Sequence, residues 1–376
     1  MMDLGDTIAD YIASWKEPYI LQEIFHTPNP YEVAQHLYTF CEAEFGRIPE
    51  RVIFFAASQG VVFGLRLYDG RRVVVKVHPP HQSPAFLAQM GQVQHYLAER
   101  GYPCPRPVQG PRPLVAGYAT VEELIDEGEY RDAHDPVVRQ AMAAAFARLF
   151  QLTSEPEIVS MLQSALFDHR LPPDVLWPRP HNAIFNFEAT AAGAEWIDEL
   201  AHSARKTIDA DQSKLVLVQY PENVPCSHLA QPLSVYMKKP KRSSGFTLGH
   251  ADFSVKQMRF MGNSIRVIYD WDSLLLNKEA VFVGKTAVNF PYSEQPGIAN
   301  LPTQQEALAF VAEYEAARGQ SFTKEERKVI AAGATLEIAY GARCEHSLYS
   351  QKQVYPADSL RSLLATYGAN FLQVMS

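Results

Sequence analysis

The stretch "LGHADFSVKQMRFMGNSIRVIYDWDSLLL", Leu248 to Leu276, places three aspartates, Asp252, Asp270 and Asp272, among apolar residues. Two segments in it have strand character. Lys256–Phe260 and Ile265–Tyr269 flank Met261-Gly262-Asn263-Ser264, where Gly and Asn accept the positive φ that a tight reversal often needs. Because the arms are of similar length, the hairpin should bring Asp270 back beside residues 252–257. Two carboxylates at one end of a hairpin repel unless a proton or a cation separates them, and an all-oxygen ligand set favours Mg²⁺. The simpler reading is that Asp252 and Asp270 cap the mouths of a loop.

Upstream, "RVIFFAASQGVVFGLRLYDGRRVVVKVHP" reads as three strands, Val52–Ala57, Val62–Tyr68 and Arg72–His78. Ser58-Gln59-Gly60 makes the first bend and Asp69-Gly70 the tight second turn. Alternation in the third strand puts Val74, Lys76 and His78 on one face and Val73, Val75 and Val77 on the other. A lysine between two valines calls for an anion, or else for an edge from which it reaches water. Helical spacing predicts a helix over "YEVAQHLYTFCEAEFG", ending at Gly46, and another from Ala85 to Arg100. "GYPCPRPV" breaks the latter, and "GYATVEELIDEGE" reads as a strand leaving the small sheet.

Beyond about Glu129 the pattern is mainly helical, the aspartate hairpin excepted. In "TQQEALAFVAEYEAARG" Thr303 and Glu306 form a capping box, Ala307, Phe310, Val311 and Tyr314 make the apolar stripe, and Gly319 ends the helix. Thr323 and Glu326 repeat the device. Pro clusters at 103–113, 172–180 and 221–240 read as loops. The expected fold is therefore α+β and bilobal. A small antiparallel-sheet N-lobe with its helices spans 1–120, a hinge 121–128, and a larger mainly helical C-lobe 129–376.

At 376 residues the chain exceeds the usual single-domain size, so two lobes with a cleft between them are expected. Thirty-four basic against 42 acidic residues give a net charge of -8, which argues against nonspecific binding of nucleic acid. No apolar run approaches the roughly 20 residues needed to span a bilayer, and the first twenty residues resemble neither signal nor transit peptide. A cytoplasmic location is the expectation. Cys41, Cys104, Cys226 and Cys344 are too scattered for a zinc knuckle or disulfide framework.

A strand lysine, an extended connector, an aspartate loop and a second aspartate after a hairpin form an ordered set suited to phosphoryl transfer. On these residues the chain resembles the aminoglycoside phosphotransferase and choline kinase group of small-molecule kinases. The family's catalytic loop H-G-D-x-x-x-x-N reads here His250-Ala251-Asp252-Phe253-Ser254-Val255-Lys256-Gln257, and its metal motif reads Ile268-Tyr269-Asp270-Trp271-Asp272. The resemblance extends from about Val52 to the C-terminal helices and leaves the first fifty residues and the segment from about Thr153 to Phe246 unassigned. It implies a kinase-like fold and an ATP- and Mg²⁺-dependent transfer to a hydroxyl of a small molecule. Asp252 would be the catalytic aspartate, and Asp270 and Gln257 metal ligands. Lys76 would hold the α- and β-phosphates, with Ser58, Gln59, Gly60 and Val74 around the nucleotide. The connector Val121 to Ile125, with Glu123 and Ile125, would offer main-chain groups to adenine. Trp271 would pack the metal loop, His250 would bond local backbone, and Asp272 would support the metal or bind it weakly.

Two departures from the family pattern bear on activity. Gln257 stands where the family has Asn, and the helix 85–100 offers Gln89 and Gln92 where a glutamate should pair with Lys76, Glu99 lying near the wrong end. A catalytically silent nucleotide-binding module is therefore the alternative function, and a protein kinase is disfavoured by the lack of an A-P-E-like segment. Lys256 is either a phosphate contact or a solvated loop lysine. The run "KKPKR" at 238–242 reads as a solvated loop or part of a substrate flap, and Cys344 with His346 as ordinary packing. His181, Glu188, Glu195, Trp196 and Asp198 fall in a helical-looking stretch that either lines a substrate site or forms amphipathic surface.

Overall fold

The computed structural model describes residues 4–13, 19–155, 158, 175–180, 184–210, 246–349, 356 and 358–373. His181, Cys226 and the basic run 238–242 lie outside the described residues. Among those described, the chain opens with α1 (Leu4–Ala13), α2 (Tyr19–Phe25) and α3 (Pro30–Phe45). Local sequence sets the ends of α3: the Asn29 side chain accepts from the Tyr31 N–H, Pro30 occupies the first turn, and Gly46 at φ 76° closes the helix.

Next comes the sheet, β1 (Arg51–Ala57), β2 (Val61–Arg66), β3 (Arg72–His78), β4 (Pro107–Leu114) and β5 (Gly117–Glu123), with α4 (Pro84–Glu99) between β3 and β4. The five strands are antiparallel in the order β1-β2-β3-β5-β4. Val73, Val75 and Val77 pack into a cluster with Leu4, Ile8, Ile24, Val33 and Leu37 of the first three helices. Lys76 and His78 take the opposite face, as the alternation predicts. Residues 107–114 form a strand where the proline cluster reads as a loop. The prolines are tolerated because β4 is the sheet edge, paired with β5 alone and through an irregular register.

The larger lobe contains α5 (Pro136–Thr153), α6 (Glu195–Ala210), α7 (Glu279–Asn289), α8 (Gln304–Arg318), α9 (Lys324–Tyr349) and α10 (Leu360–Tyr367). Thr303 and Glu306 make the expected capping box at α8, and Gly319 closes it at φ 73°. α9 packs against α6, α7 and α10. It meets α7 at glycines: a Cβ on Gly284 would sit 2.0 Å from the Ile330 carbonyl oxygen, and one on Gly333 2.8 Å from that of Val281. The apolar face of α4, with Leu87, Met90, Val93 and Leu97, joins the same cluster as Met142, Phe146, Phe282 and Tyr314 of this lobe.

Two short ribbons position the acidic loops. β6 (Phe246–His250) pairs with β9 (Leu274–Lys278), and β7 (Met258–Met261) pairs with β8 (Ser264–Ile268). At one end Ala251 N–H donates to Ser273 O at 2.9 Å; at the other Tyr269 N–H donates to Gln257 O at 2.8 Å. The segments 251–257 and 269–273 are thus fastened to each other at both ends.

Candidate active site

Asp252 sits in the first of these fastened segments, half-buried, with three side chains donating to it. Gln257 Nε2 lies 2.7 Å from Oδ2, while Asn289 Nδ2 and Ser254 Oγ lie 3.1 and 3.2 Å from Oδ1. Fixed donors at both oxygens orient the carboxylate. Because the Gln257 amide nitrogen is turned to Asp252, its carbonyl oxygen is the atom left for a cation.

Asp270 sits in the second segment in a left-handed conformation, φ 66° and ψ 45°, and accepts from Ser273 Oγ at 2.9 Å. Trp271 is fully buried behind it, donates to the Ile268 carbonyl at 2.8 Å and meets Tyr102 and His250 edge to face. His250 bonds the Tyr269 carbonyl through Nε2 at 2.9 Å. Both residues therefore brace the loop in the way the sequence predicts. Burial, then the neighbouring Asp272 charge, pushes the Asp270 pKa up to about 8. Burial works against ionisation of Asp272 too, yet Lys76 and His78 hold its pKa well below the ordinary range.

Lys76 is nearly buried on β3, opposite Val62 and Thr120. Its ammonium lies 3.4 Å from Glu122 Oε1 and 3.4 Å from Asp272 Oδ1. Burial alone would lower its pKa, but Glu122, Asp272 and Asp270 reverse this and keep it charged. His78, on the same face, bonds Thr120 Oγ1 at 2.9 Å, and burial lowers its pKa to about 4, so it is neutral near pH 7. Glu122 in turn accepts from Gln94 Nε2 of α4 at 2.8 Å. The acid beside Lys76 thus comes from β5, and the amide that α4 presents to it is Gln94, where the sequence pointed to Gln89 and Gln92.

The remaining predicted contacts have definite places. Ser58-Gln59-Gly60 joins β1 to β2, with Ser58 N–H donating to Gly60 O at 2.9 Å. A Cβ on Gly60 would come within 2.8 Å of the Val77 carbonyl oxygen, so glycine lets this turn fold onto the end of β3. Val74 lies opposite Glu122, on the face of Lys76. In the connector the Glu123 N–H donates to Arg106 O at 2.9 Å and the Leu124 N–H to Arg72 O at 3.0 Å, while the Ile125 carbonyl accepts from the Tyr269 hydroxyl. Those groups are already engaged within the protein.

Lys256 is neither bare nor buried. It pairs with Glu294 at 2.8 Å and lies 5.4 Å above the Tyr292 ring, and Tyr292 donates to the same carboxylate at 2.6 Å. Burial opposes ionisation of Glu294, but the bonds from Lys256 and Tyr292 lower its pKa. Of the stretch read as helical, α6 begins only at Glu195, and residues 184–194 are turns and coil. Asp198 accepts from Trp177 at 2.9 Å and pairs with Arg343 at 3.3 Å, which places it in the packing of α6 on α9. Cys344 is buried with a raised pKa of about 12, caused by burial, and His346 bonds the Ala192 carbonyl at 3.0 Å.

Glu122, Gln94 and Asn289 went unnoticed in the sequence. Gln94 carried a signal: it stands with Leu87, Met90 and Leu97 on one helical stripe, a polar residue at a core position. Asn289 carried none, since it lies 37 residues after Asp252, at the end of α7.

The donor set of Asp270, Asp272 and the Gln257 side-chain carbonyl is all oxygen, and two of the three are carboxylates two residues apart on one short loop. These residues fit a hard divalent cation whose other ligands are phosphate oxygens and water. Among the described residues no group of three or more His, Cys, Asp or Glu side chains forms a metal cage by itself.

Comparison with known proteins bears on the fold and the family. The chain aligns over 91% of its length with amicoumacin kinase hAmiN, solved with AMP-PNP, Ca²⁺ and Ami, at 13% identity, 95% of that chain and a TM-score of 0.58. Plasmodium vivax ethanolamine kinase aligns over 98% of this chain and 95% of its own at 9% identity and TM-score 0.54. Spectinomycin phosphotransferase, solved with ADP and spectinomycin, gives 90%, 98%, 11% and 0.52 in the same order. At such identities these likenesses establish the kinase-like bilobal α+β fold. No curated protein matches. The model of the APH family, described as the phosphotransferase enzyme family, matches residues 62–278, more than half of the chain and every segment of the site from Lys76 to Asp272. The chain belongs to the APH phosphotransferase enzyme family.

Proposed function

We propose that the protein is an ATP- and Mg²⁺-dependent kinase that phosphorylates a hydroxyl of a small molecule. The observation that carries this reading is the double fastening of segments 251–257 and 269–273, which sets Asp252 and Gln257 against the loop of Asp270 and Asp272, with Asp272 3.4 Å from Lys76. Asp252 accepts or orients the proton of the attacking hydroxyl. Lys76 holds the α- and β-phosphates, and the Ser58-Gln59-Gly60 turn lies over the nucleotide. Asp270 and the Gln257 carbonyl hold Mg²⁺, which when bound supplies positive charge at the phosphate oxygens. The connector borders the base, its Glu123 and Leu124 N–H groups and Ile125 carbonyl being engaged within the protein, with 1–120, 121–128 and 129–376 acting as small lobe, hinge and large lobe.

The acceptor belongs beside Asp252, where half-buried Lys256 and Tyr292 and exposed Glu294 offer a polar rim. A hydroxylated amine, whether an antibiotic or an amino-alcohol, suits the negative character of Asp252 and Glu294. The alternative, a silent nucleotide-binding module, has one ground left in Gln257. Its other ground, the missing helix glutamate, is weakened by the Glu122–Lys76 pair.

The test is transfer itself. Purified protein with ATP, Mg²⁺ and a library of hydroxylated amines and metabolites is expected to form a phosphorylated product, and Asp252→Ala to lower turnover by at least about a thousandfold with its circular dichroism unchanged. Unaltered turnover in that variant would refute the assignment. ATP binding without transfer to any acceptor would favour the silent module.

A further inference from the structure

Lys76 sits where only its partners can hold it, since its side chain is 11% exposed and flanked along the strand by Val75 and Val77. Two of the carboxylates that act on it, Asp270 and Asp272, belong to the loop assigned to the cation and are shared with it. Glu122 is not. It projects from β5 opposite Val74, is 7% exposed, and stands against Lys76 with Oε1 while Oε2 faces α4.

The group that meets it there has a fixed sense. Gln94 is 2% exposed, and its amide nitrogen donates both to Glu122 Oε2 at 2.8 Å and to the Pro105 carbonyl at 2.9 Å. Two acceptors on one side leave no doubt which end of the amide is nitrogen. A carboxylate at position 94 would lie against Glu122 and the two would repel, so an acid on β5 requires a neutral donor on α4. Both side chains also line a cavity of about 790 Å³ between α4 and the β4–β5 edge, together with Lys76 and Trp271, and their bond ties helix to strand at its wall.

We infer that Glu122 is the positioning residue that fixes Lys76 for the nucleotide, with Gln94 holding Glu122, so that the acid lies on strand β5 and the amide on helix α4. This inference rests on the kinase reading of the site. Glu122 reaches no reacting atom; it acts by keeping the ammonium aimed along the cleft while Asp270 and Asp272 are engaged by the cation. The Gln94 bond makes the position of α4, and through it the large-lobe core, part of the same support.

The carboxylate should then matter for the nucleotide and not for the acceptor. Titration calorimetry with the ATP analogue AMP-PNP and Mg²⁺, with steady-state kinetics on any accepted hydroxyl, is carried out on wild type, Glu122→Gln, Glu122→Asp and Gln94→Met. Loss of the carboxylate in Glu122→Gln is expected to weaken nucleotide affinity at least about tenfold with little change in acceptor KM. Gln94→Met, which removes the donor and keeps the length of the side chain, and Glu122→Asp, which keeps the charge, are each expected to fall between. A folded Glu122→Gln with nucleotide affinity and turnover within about twofold of wild type overturns the inference. Should Glu122→Gln not fold, Glu122→Asp and Gln94→Met decide by the same measure. Wild-type protein that binds no nucleotide would overturn the kinase reading as well, whereas wild-type binding and transfer with indifferent Glu122 variants overturns this inference alone.

Discussion

Asp252 is held by more donors than its place in a loop requires, and one of them comes from another helix. Gln257 and Ser254 are local, but Asn289 reaches in from the end of α7 and fixes Oδ1 at 3.1 Å. In the proposed reaction Asp252 is the base, and a base whose rotamer is set from two directions keeps its angle to the incoming hydroxyl, orientation being a large part of what such a site would supply. Asn289→Ala is therefore expected to lower kcat by about tenfold and leave nucleotide KM nearly unchanged, a split that steady-state kinetics reads directly. Equal losses in both constants would mean that Asn289 supports the whole loop. Asp252, Asp270 and Lys76 were legible as an ordered set that resembles a known family, although each short segment alone also reads as a loop cap or an edge lysine. Asn289, Glu122 and Gln94 were not, because what joins them to the site is a helix end, a strand register and a helix packing angle.

At the scale of elements the same distinction holds. The capping box at Thr303 and Glu306 and the closing glycines at 46 and 319 are local and were legible. Strand β4 was not, since whether a proline-rich segment is loop or edge strand depends on an unpaired flank that only the assembled sheet provides. Glu306 illustrates how one local device gains a distant duty. Besides capping α8 it lies 2.8 Å from His134 Nδ1, while His134 Nε2 faces the Ala299 carbonyl at 3.0 Å. Both ring nitrogens meet acceptors, so the imidazolium is the form that satisfies them. Burial opposes that charge, yet the Ala299 carbonyl and Glu306 raise the His134 pKa above its ordinary value. A raised folded pKa contributes stability that is fully present below the unfolded value of about 6.5 and is lost as pH rises through the folded value. His134→Gln should thus lower the melting temperature more at pH 6 than at pH 8.5. The effect at pH 6 should be on the order of 0.5–1 kcal/mol for such a partly exposed pair. A gap that widened with pH would contradict the assigned charge.

On the scale of the whole molecule, the two hydrophobic clusters divide the chain differently from its linear order. One joins α1, α2 and α3 to a single face of the sheet; the other takes the apolar face of α4 into the core of the large lobe, while α4 also packs on β4 and bonds β5 through Gln94. Lys76 lies where these bodies meet, bonded to β5 through Glu122 and to the large lobe through Asp272. A nucleotide held by Lys76 on one side and by a cation at Asp270 on the other would therefore stabilise the contact between both bodies, whatever becomes of catalysis. This separates binding from chemistry. At about 100 times its Kd, ATP with Mg²⁺ should add roughly 2.7 kcal/mol to the stability of wild type, and nearly as much to Asp252→Ala, in which the phosphate-holding groups remain. Lys76→Met should lose most of that gain, and with its cation gone from between two carboxylates it should also melt lower in the absence of nucleotide. Thermal denaturation of the three proteins, with ATP alone and with ATP plus Mg²⁺, distinguishes the cases. Stabilisation that persists in Lys76→Met, or that ignores Mg²⁺ in wild type, would place the nucleotide elsewhere or favour the silent module, because the Lys76 and Asp270 sides of the cleft are expected to act together.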